Sequence, residues 1–438
     1  MNVSHVAVEG LADVRLPRMF RLRQQVASCP LADVSLEVRR EMNKMGMLDA
    51  LAPGSSVAVG VGSRGVDRLA QVVRTVVDVL KERGIRPFIV PAMGSHGGGT
   101  AAGQKEVLAS KGITEDCLGV PIASSMDVVD LGMTREGVPV KFDRVSFQAD
   151  AVIAINRVKP HTDFSGDVES GLMKMLAVGF GKHKGAATLH GVHCDDFSEL
   201  IVQVGRYILD HVPVVLGIGL VEDGCGQLCR VTALPPDEIE GGEKALLKEA
   251  KAMAPRIPFA DVDLLIVDEM GKNISGAGMD TNVIGRGKPA STRIRFIVVL
   301  DLSEESLGNA VGMGLADIIT VRLFERIDFN ATYTNHLASR SVTSAKIPLV
   351  LRDDEAAIKT ALWLTGKAPD EVRVVRIRNT LQLATLDISE CLARERREGG
   401  TCGPELVEVQ YGFGPTGKLV VEPRAQGLGD PAPGMRLS

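Results

Sequence analysis

Short apolar runs alternate with longer amphipathic segments over most of this chain, and this alternation limits the possible folds more than any other feature. The runs have the length and the β-branched content of buried strands, whereas the segments between them have a helical period. The predicted strands are SSVAVGV, RPFIVPA, AVIAIN, VPVVLGIGLV, DLLIVDEM, RIRFIVVLDL and RVVRIRN. Buried strands separated by helices are typical of parallel sheets. The sequence therefore predicts an α/β protein with largely parallel sheets covered by helices.

The segment MAPRIPFADVD marks a candidate domain boundary, because it places two prolines after a charged helix. We predict an N-terminal α/β domain over residues 1–258 and a C-terminal α/β domain over residues 259–395. The glycine- and proline-rich tail, residues 396–438, is expected to fold back on the N-terminal domain as an edge element and to end in disorder. We expect the active site in the cleft between the two domains.

Composition excludes several classes of protein. The net charge is −5 and aromatic residues make up 4%, so neither a basic footprint nor a stacking surface for nucleic acid is present. The first residues lack a signal-peptide pattern, and no apolar run is long enough to span a bilayer. Seven cysteines, an odd number, argue against a disulfide framework. We therefore expect a cytoplasmic protein without nucleic acid or membrane partners.

Two glycine-rich segments follow predicted strands. Gly60–Gly65 (GVGSRG) matches G-x-G-x-x-G between a strand and a helix, where backbone N–H groups can hold a phosphate. The second predicted strand ends without the acidic residue that binds ribose in a dinucleotide site. The segment is therefore interpreted as an anion or phosphate cradle with Arg64 as a charge partner and not as an NAD site, and the alternative is a close-packing turn without a ligand.

The other segment, Ala92–Thr100 (AMGSHGGGT), holds His96 among four glycines at a strand-to-helix turn. Glycine allows close approach of the backbone to a ligand, and imidazole titrates near neutral pH. A loop that bears a catalytic histidine and a helix-entry loop with a surface histidine both remain open from this motif alone.

Residues 156–196 hold the densest set of chemically active side chains. Four of the eight histidines lie there, together with four lysines: His161, His183, His190, His193, Lys159, Lys174, Lys182 and Lys184. The spacing His190-x2-His193, followed by Asp195, is shorter than the spacing that places two metal ligands on one helix face. A zinc site formed by protein side chains alone is therefore an alternative and not the favoured interpretation.

A third loop, Gly276–Lys288 (GAGMDTNVIGRGK), follows the strand DLLIVDEM. It carries glycines, Asp280 and the bases Arg286 and Lys288. Ligands bind at the carboxyl ends of strands in α/β sheets, so the loop is a candidate for substrate binding, with a polar surface loop as the alternative.

Taken in order, these motifs resemble those of the nickel-dependent lactate racemases, which racemise or epimerise 2-hydroxy acids. GSHGGGT resembles the family's Gly-Thr-His turn, and KPHTDFSG resembles the segment with its second base, which implies His96 and His161 as catalytic residues. SGLMKMLAVG resembles S-G-G-R-K-x-I-x-P-G, which implies that Lys174 lies against the cofactor. His190 follows at the interval of the family's nickel ligand.

The resemblance extends to the cofactor and the partners. It implies a nickel-pincer nucleotide, the nickel pyridinium-3,5-bisthiocarboxylic acid mononucleotide, and cofactor-synthesis enzymes as partners. The cofactor contacts would be Gly62, Ser63, Arg64, Gly65 and Lys174. GMDTNVIGRGK resembles D-x-N-x-Y-Q-x-x-K, with Asp280, Asn282 and Lys288 in register. Arg64, Arg286 and Lys288 are the candidates to bind the substrate carboxylate.

The implied reaction agrees with the chemistry of these residues. A carbinol C–H is too weakly acidic for a side-chain base, so racemisation removes a hydride to the cofactor while a base takes the hydroxyl proton. Return of the hydride to the other face inverts the centre, and one histidine for each enantiomer suits this reaction. Imidazole is also a suitable nickel ligand.

Departures from the family pattern predict a substrate other than lactate, such as a sugar acid. Three extra residues separate His161 from Lys174, Val178 replaces a proline, and Ile284 and Gly285 replace a tyrosine and a glutamine. Two alternative functions remain: a non-catalytic nucleotide- or ligand-binding homologue, and a zinc hydrolase that uses His190, His193 and Asp195.

Overall fold

The structure, a computed structural model, describes residues 9–44, 46–63, 65–192, 194, 196–288, 290–338, 341–398 and 406–423. The strands are β1 (Met19–Arg23), β2 (Ser56–Val61), β3 (Arg86–Pro91), β4 (Val128–Met133), β5 (Pro139–Asp143), β6 (Ala151–Arg157), β7 (Val214–Glu222), β8 (Leu228–Leu234), β9 (Asp261–Met270), β10 (Arg293–Leu302), β11 (Ile318–Thr320), β12 (Leu349–Leu351), β13 (Val374–Ile377), β14 (Thr385–Ser389), β15 (Leu406–Phe413) and β16 (Leu419–Pro423).

The α-helices are α1 (Val34–Asn43), α2 (Leu69–Glu82), α3 (Ala101–Ala109), α4 (Glu115–Leu118), α5 (Arg144–Phe147), α6 (Leu172–Lys174), α7 (Lys182–Gly191), α8 (Phe197–His211), α9 (Ile239–Met253), α10 (Thr281–Ile284), α11 (Val321–Glu325), α12 (Phe329–Ala338), α13 (Asp354–Thr365) and α14 (Glu390–Glu398). A π-helix, Met175–Gly179, continues directly from α6.

The described chain divides into two compact units. We call them the N-terminal unit, which is residues 26–255 with a short addition at residue 338, and the C-terminal unit, which is the described residues up to 25 and the remaining ones from 256 onwards. The division at 255/256 falls in the proline-containing segment, whereas the sequence placed the boundary at 258.

The N-terminal unit is built on a five-stranded sheet of order β3-β2-β6-β7-β8. The first four strands are parallel, and β8 adds an antiparallel edge. Successive residues of β2 face opposite sides of the sheet: Val57 and Val59 enter one apolar core, and Ala58 enters the other. Helices cover both faces, which explains why these strands read as continuous apolar runs.

The C-terminal unit is built on a nine-stranded sheet of order β12-β11-β10-β9-β13-β14-β1-β15-β16. The strands from β12 to β13 are parallel, and the other four are added antiparallel. The α/β class with mostly parallel sheets is confirmed.

Both chain ends differ from the prediction. Residues 1–25 were assigned to the N-terminal domain, and the tail was expected to pack on it. Instead β1 lies between β14 and β15 in the C-terminal unit, with Met19 opposite both Ser389 and Val409. One edge of β1 pairs with β14, and its other edge pairs with β15. This second pairing places the tail strands in the C-terminal unit. Residues 424–438, where disorder was expected, lie outside the described residues.

Among the described residues, no helix combines the length and the hydropathy that a bilayer-spanning segment needs.

Candidate functional site

The carboxyl edge of the parallel strands in the N-terminal unit gathers the predicted site loops. The GVGSRG loop follows β2, the AMGSHGGGT loop follows β3, and the KPHTDFSG loop follows β6. Because β2 lies between β3 and β6, the three loops start from neighbouring strands about 5 Å apart. This edge is where α/β sheets bind ligands.

The loop after β3 places His96 at the surface, where its side chain contacts the loop after β2. The Nδ1 atom of His96 is hydrogen-bonded to the Oγ atom of Ser63. Gly97 has a φ of +64°, and a Cβ there would lie 2.5 Å from the carbonyl carbon of Gly103. The buried Gln104 donates to the Gly94 carbonyl oxygen at 2.8 Å. The glycines therefore fix a defined loop shape that a side chain would disturb.

The structure shows a helix-entry loop with an exposed histidine, and the catalytic role of His96 stays a prediction. Thr100 caps α3, accepting from the Gly103 N–H at 3.1 Å, so the segment is a helix-entry loop. The same loop also places His96 on Ser63, a residue predicted independently for cofactor binding.

The loop after β2 differs from the expected strand-to-helix cradle. Helix α2 begins only at Leu69, and Arg68 before it has a φ of +54°. The N–H groups that could bind a phosphate thus come from the loop and not from a helix N-terminus. A Cβ on Gly62 would lie 2.7 Å from Oδ1 of Asn156, so only glycine fits there without a shift. Arg64 lies outside the described residues.

Three polar residues near this loop were missed by sequence reasoning. The Nζ atom of Lys111 lies 3.7 Å from the position of a Cβ on Gly65. Arg157 donates to the Gly65 carbonyl oxygen at 3.4 Å and pairs with Glu222 at 2.7 Å. The Oδ1 atom of Asn156 faces Gly62, and its Nδ2 atom donates to the carbonyl oxygen of Gly171, just before α6. For Lys111 the sequence carries no signal, because only the fold brings it to the loop.

The loop after β6 joins His161 to Lys174. The Nε2 atom of His161 is hydrogen-bonded to Nζ of Lys174, and its Nδ1 atom accepts from the Asp163 N–H at 3.0 Å. The buried Glu169 accepts from the backbone N–H of His161 at 2.6 Å and pairs with Lys251 at 2.6 Å. The loop and the side chain of His161 are therefore both fixed.

Two phenylalanines, also missed by the sequence analysis, connect His161 to His190. The rings of His161 and Phe164 stack with centroids 4.2 Å apart, and the edge of Phe164 meets Phe197 at 5.3 Å. The ring of Phe197 stacks on exposed His190 at 5.2 Å. The Nζ atom of Lys174 lies 5.4 Å from the Phe164 ring centre, a cation–π distance. His161, Lys174 and His190 thus belong to one cluster.

The loop after β3 lies against the helix that follows Lys174. Gly94 donates its N–H to the carbonyl oxygen of Gly179, the last residue of the π-helix, at 3.0 Å. A Cβ on Gly99 would lie 3.4 Å from Nδ1 of His183. The His96 loop and the Lys174 segment therefore form one region of the N-terminal unit. A π-helix of this kind is frequent at functional sites.

Lys182, also in this region, is buried and structural. Its Nζ atom donates to the Pro91 carbonyl oxygen at 2.5 Å and lies 3.3 Å from Oδ2 of Asp143. Burial lowers the pKa of Lys182, and Asp143 opposes that shift. The pair anchors the end of β3, five residues before His96.

No cluster of three or more His, Cys, Asp or Glu side chains that could hold a metal ion lies within the described part of the chain. His193 and Asp195 lie outside the described residues.

The remaining predicted residues belong to the C-terminal unit. Asp280 caps α10 and accepts from the N–H and the Nδ2 of Asn282 at 2.9 and 2.7 Å. Arg286 makes a two-point ion pair with Asp317 at 2.9 and 3.2 Å. Lys288 is half-buried. Substrate binding by Arg286 stays a prediction, and a substrate carboxylate would have to compete with Asp317.

Comparison with known proteins adds a family assignment for part of the chain. Residues 41–196 match the model of the lactate racemase N-terminal domain. No curated protein matches the chain.

Two solved structures are similar. The lactate racemase apoprotein from Thermoanaerobacterium thermosaccharolyticum is 12% identical with a TM-score of 0.49, and the match covers 82% of this chain and 94% of that one. A protein from Thermotoga maritima is 16% identical with a TM-score of 0.47, and the match covers 63% of this chain and 72% of that one.

The matched residues 41–196 contain the loops of His96 and His161, together with Lys174 and His190. The resemblance predicted from the motifs is confirmed over residues 41–196, which match the lactate racemase N-terminal domain.

Proposed function

We propose that the protein is a racemase or epimerase of a 2-hydroxy acid, with His96 and His161 as its two bases. The observation that carries the proposal is the position of the two histidines, on loops that follow β3 and β6, the two neighbours of β2. The loops start about 10 Å apart, two strand spacings. A small acid held between two such bases exposes each face of its carbinol carbon to one of them.

The residues of the cluster fit the nickel-pincer nucleotide of the family. The narrow loop at Gly62, with Ser63 and Lys111 beside it, suits a single phosphate. Exposed His190 offers an imidazole for nickel, and Lys174 lies in the same aromatic cluster. When bound, the group would accept and return the hydride.

The side chains of this chain would move the proton. Ser63 is hydrogen-bonded to Nδ1 of His96, and Nε2 is the nitrogen that would exchange a proton with the substrate hydroxyl group. The Asp163 N–H holds Nδ1 of His161, so Nε2, the nitrogen at Lys174, is again the one that exchanges a proton. Arg64, Lys288 and Arg286 are the candidates to bind the substrate carboxylate, Arg through two hydrogen bonds.

The substrate class follows from the sequence departures. Ile284 is buried and Gly285 has a φ of +64°, and they stand where the family has a tyrosine and a glutamine. A site without those two polar side chains favours a hydroxy acid other than lactate.

The test is to co-express the full chain with cofactor-synthesis enzymes and to follow the loss of enantiomeric excess in a panel of single-enantiomer hydroxy acids and sugar acids. We expect His96→Ala and His161→Ala to lower the rate by roughly 10²- to 10⁴-fold while nickel is retained. His211→Ala is the matched control, because that exposed histidine ends α8 and contacts Tyr207, by ring stacking and by a hydrogen bond with its carbonyl oxygen.

Metal content separates the alternatives. His190→Ala should lose nickel, and normal nickel in that variant would refute the ligand assignment. Nucleotide-induced thermal stabilisation without any isomerisation would favour the non-catalytic homologue. Stoichiometric zinc in protein made without the cofactor pathway would favour the hydrolase.

A further inference from the structure

Glu243 on α9 lies directly beneath the turn that carries Lys174. Its Oε2 atom accepts from the Met173 N–H at 2.7 Å, and the Leu172 N–H also acts on the carboxylate. These two amides begin α6, which ends at Lys174. A Cβ on Gly171 would overlap Oε1 of Glu243, so glycine is required for this approach.

The second oxygen of the carboxyl group is available for a proton. Oε1 of Glu243 is buried and has no hydrogen-bond partner in the described part of the chain. Burial raises the pKa of Glu243 to about 7, the two amides lower it, and the charge of Glu240 raises it. The group therefore changes its ionisation close to neutral pH.

Several charged groups lie around Glu243. On α9 and on the elements packed against it they include Glu240, Lys244, Arg206 of α8, Lys174 of α6, Glu222 of β7, and Asp237 and Glu238 before α9. Hydrogen bonds from Arg206 and Lys244 lower the pKa of Glu240 to about 2, so that carboxylate stays ionised.

We propose that Glu243 is a positioning residue for Lys174. Ionised, its carboxylate holds the Leu172 and Met173 amides firmly and fixes the turn that presents Lys174 to His161; protonated, it holds them weakly. Hydrogen bonds to an ionised acceptor are stronger than those to a neutral one, and negative charge is favourable at the start of a helical segment. The role of Lys174 at a cofactor rests on the proposed function, whereas its link to Glu243 rests on the geometry alone.

The test uses the full chain without cofactor. The rate at which an isotopically labelled acylating reagent modifies Lys174 is measured by mass spectrometry from pH 5.5 to 9 in the wild type and in Glu243→Gln. Glutamine keeps the shape and stays neutral, so the ratio of variant to wild-type rates should rise from about one below pH 6 to about ten above pH 8. Glu249→Gln is the matched control, because that carboxyl lies six residues further along α9 and pairs with Arg230, and its ratio should show no such step.

A second measurement needs no variant. Hydrogen exchange of the Leu172 and Met173 amides in the wild type, corrected for intrinsic exchange, should show protection that rises through pH 7. Protection independent of pH, or a labelling ratio without a step, would overturn the proposal. Racemisation that fails while the labelling step persists would refute the proposed function and leave this link intact.

Discussion

The carboxyl edges of the two sheets use charge in opposite ways. In the C-terminal unit, the ends of β9, β10 and β13 border a cavity of about 450 Å³ whose arginines bind neighbouring carboxylates. Arg376 pairs with Asp268 at 2.7 Å, and Arg322 pairs with Asp301 and Asp354 at 2.8 and 2.9 Å. The arginines and aspartates at this edge therefore pair with one another.

In the N-terminal unit, the same edge carries glycine-rich loops and imidazoles. His96 and His190 are exposed at this edge, and His161 is half-buried. Glycines and aromatic rings shape these loops, and the charged side chains that contact them, Lys174 and Glu169, hold His161 in place. The comparison teaches that position at a sheet edge permits a ligand site, and that the chemistry of the loops decides whether there is one.

The largest loss of stability is expected for Arg376→Ala, which removes a charge from the ion-pair network of the C-terminal unit. Arg376 lies between Asp268 and Asp387 at 2.7 and 2.9 Å, and burial raises the pKa of Asp268 whereas Arg376 lowers it. Removal of the guanidinium leaves Asp268 without its ion-pair partner, whereas Asp387 keeps its pair with Arg21, and should cost about 3–5 kcal/mol of unfolding free energy, measured by urea denaturation.

Arg378→Ala is the control for this variant. Its side chain is 64% exposed and pairs with Glu269, so the expected loss is about 0–1 kcal/mol. Equal losses in the two variants would show that the network at this edge is not structural.

The N-terminal unit should show a pH dependence near neutrality that comes from Glu243. The pKa of Glu243 rises from an ordinary value of 4.5 to about 7 on folding, so the folded state binds more protons between these values. Stability from this group is present below pH 4.5 and is lost as the pH rises through 7, by roughly 3 kcal/mol in total. Urea titrations of the wild type and Glu243→Gln at pH 5 and pH 8 measure it; the same difference at both pH values would contradict the expectation.

Gly97→Ala tests the shape of the His96 loop. The added Cβ would meet the Gly103 carbonyl carbon at 2.5 Å, at a φ of +64° that alanine disfavours. We expect a loss of about 1–3 kcal/mol together with a loss of turnover. Gly98→Ala has a similar φ but open space around the Cβ, so it separates backbone strain from overlap.

Ser63→Ala should have the smallest effect. It removes the hydrogen bond to Nδ1 of His96 and leaves the loop glycines in place. We expect a drop of roughly fivefold in turnover, the factor for one hydrogen bond of about 1 kcal/mol, with unchanged stability. A loss as large as that of His96→Ala would mean that Ser63 acts directly on the substrate.

The sequence predicted the parallel strands well because burial on both faces gives them continuous apolar runs. The run RIRFIVVLDL coincides with β10, and AVIAIN forms most of β6. Strand β1 was missed and the tail was assigned to the wrong unit, because β1 pairs with β14 and β15, which lie far away in sequence. Periodicity within a segment carries no information about such pairing.

The residues of the candidate site also divide into those that a local motif reveals and those that only the tertiary fold reveals. His161 and Lys174 were found as motif residues, and the structure brings them into hydrogen-bond contact. Lys111 and Glu243 were not found, because an isolated lysine and a glutamate on an amphipathic helix look solvated in a sequence. Only the tertiary fold places one beside a loop and buries the other.

The position of β1 in the sheet also sets the order of events during synthesis. This strand leaves the ribosome early, yet both of its neighbours, β14 and β15, lie close to the other end of the chain. At about 5–20 residues per second, β1 waits roughly 20–70 s for them. The contiguous N-terminal unit can fold in that interval, so nascent chains should acquire the histidine cluster before the nine-stranded sheet closes.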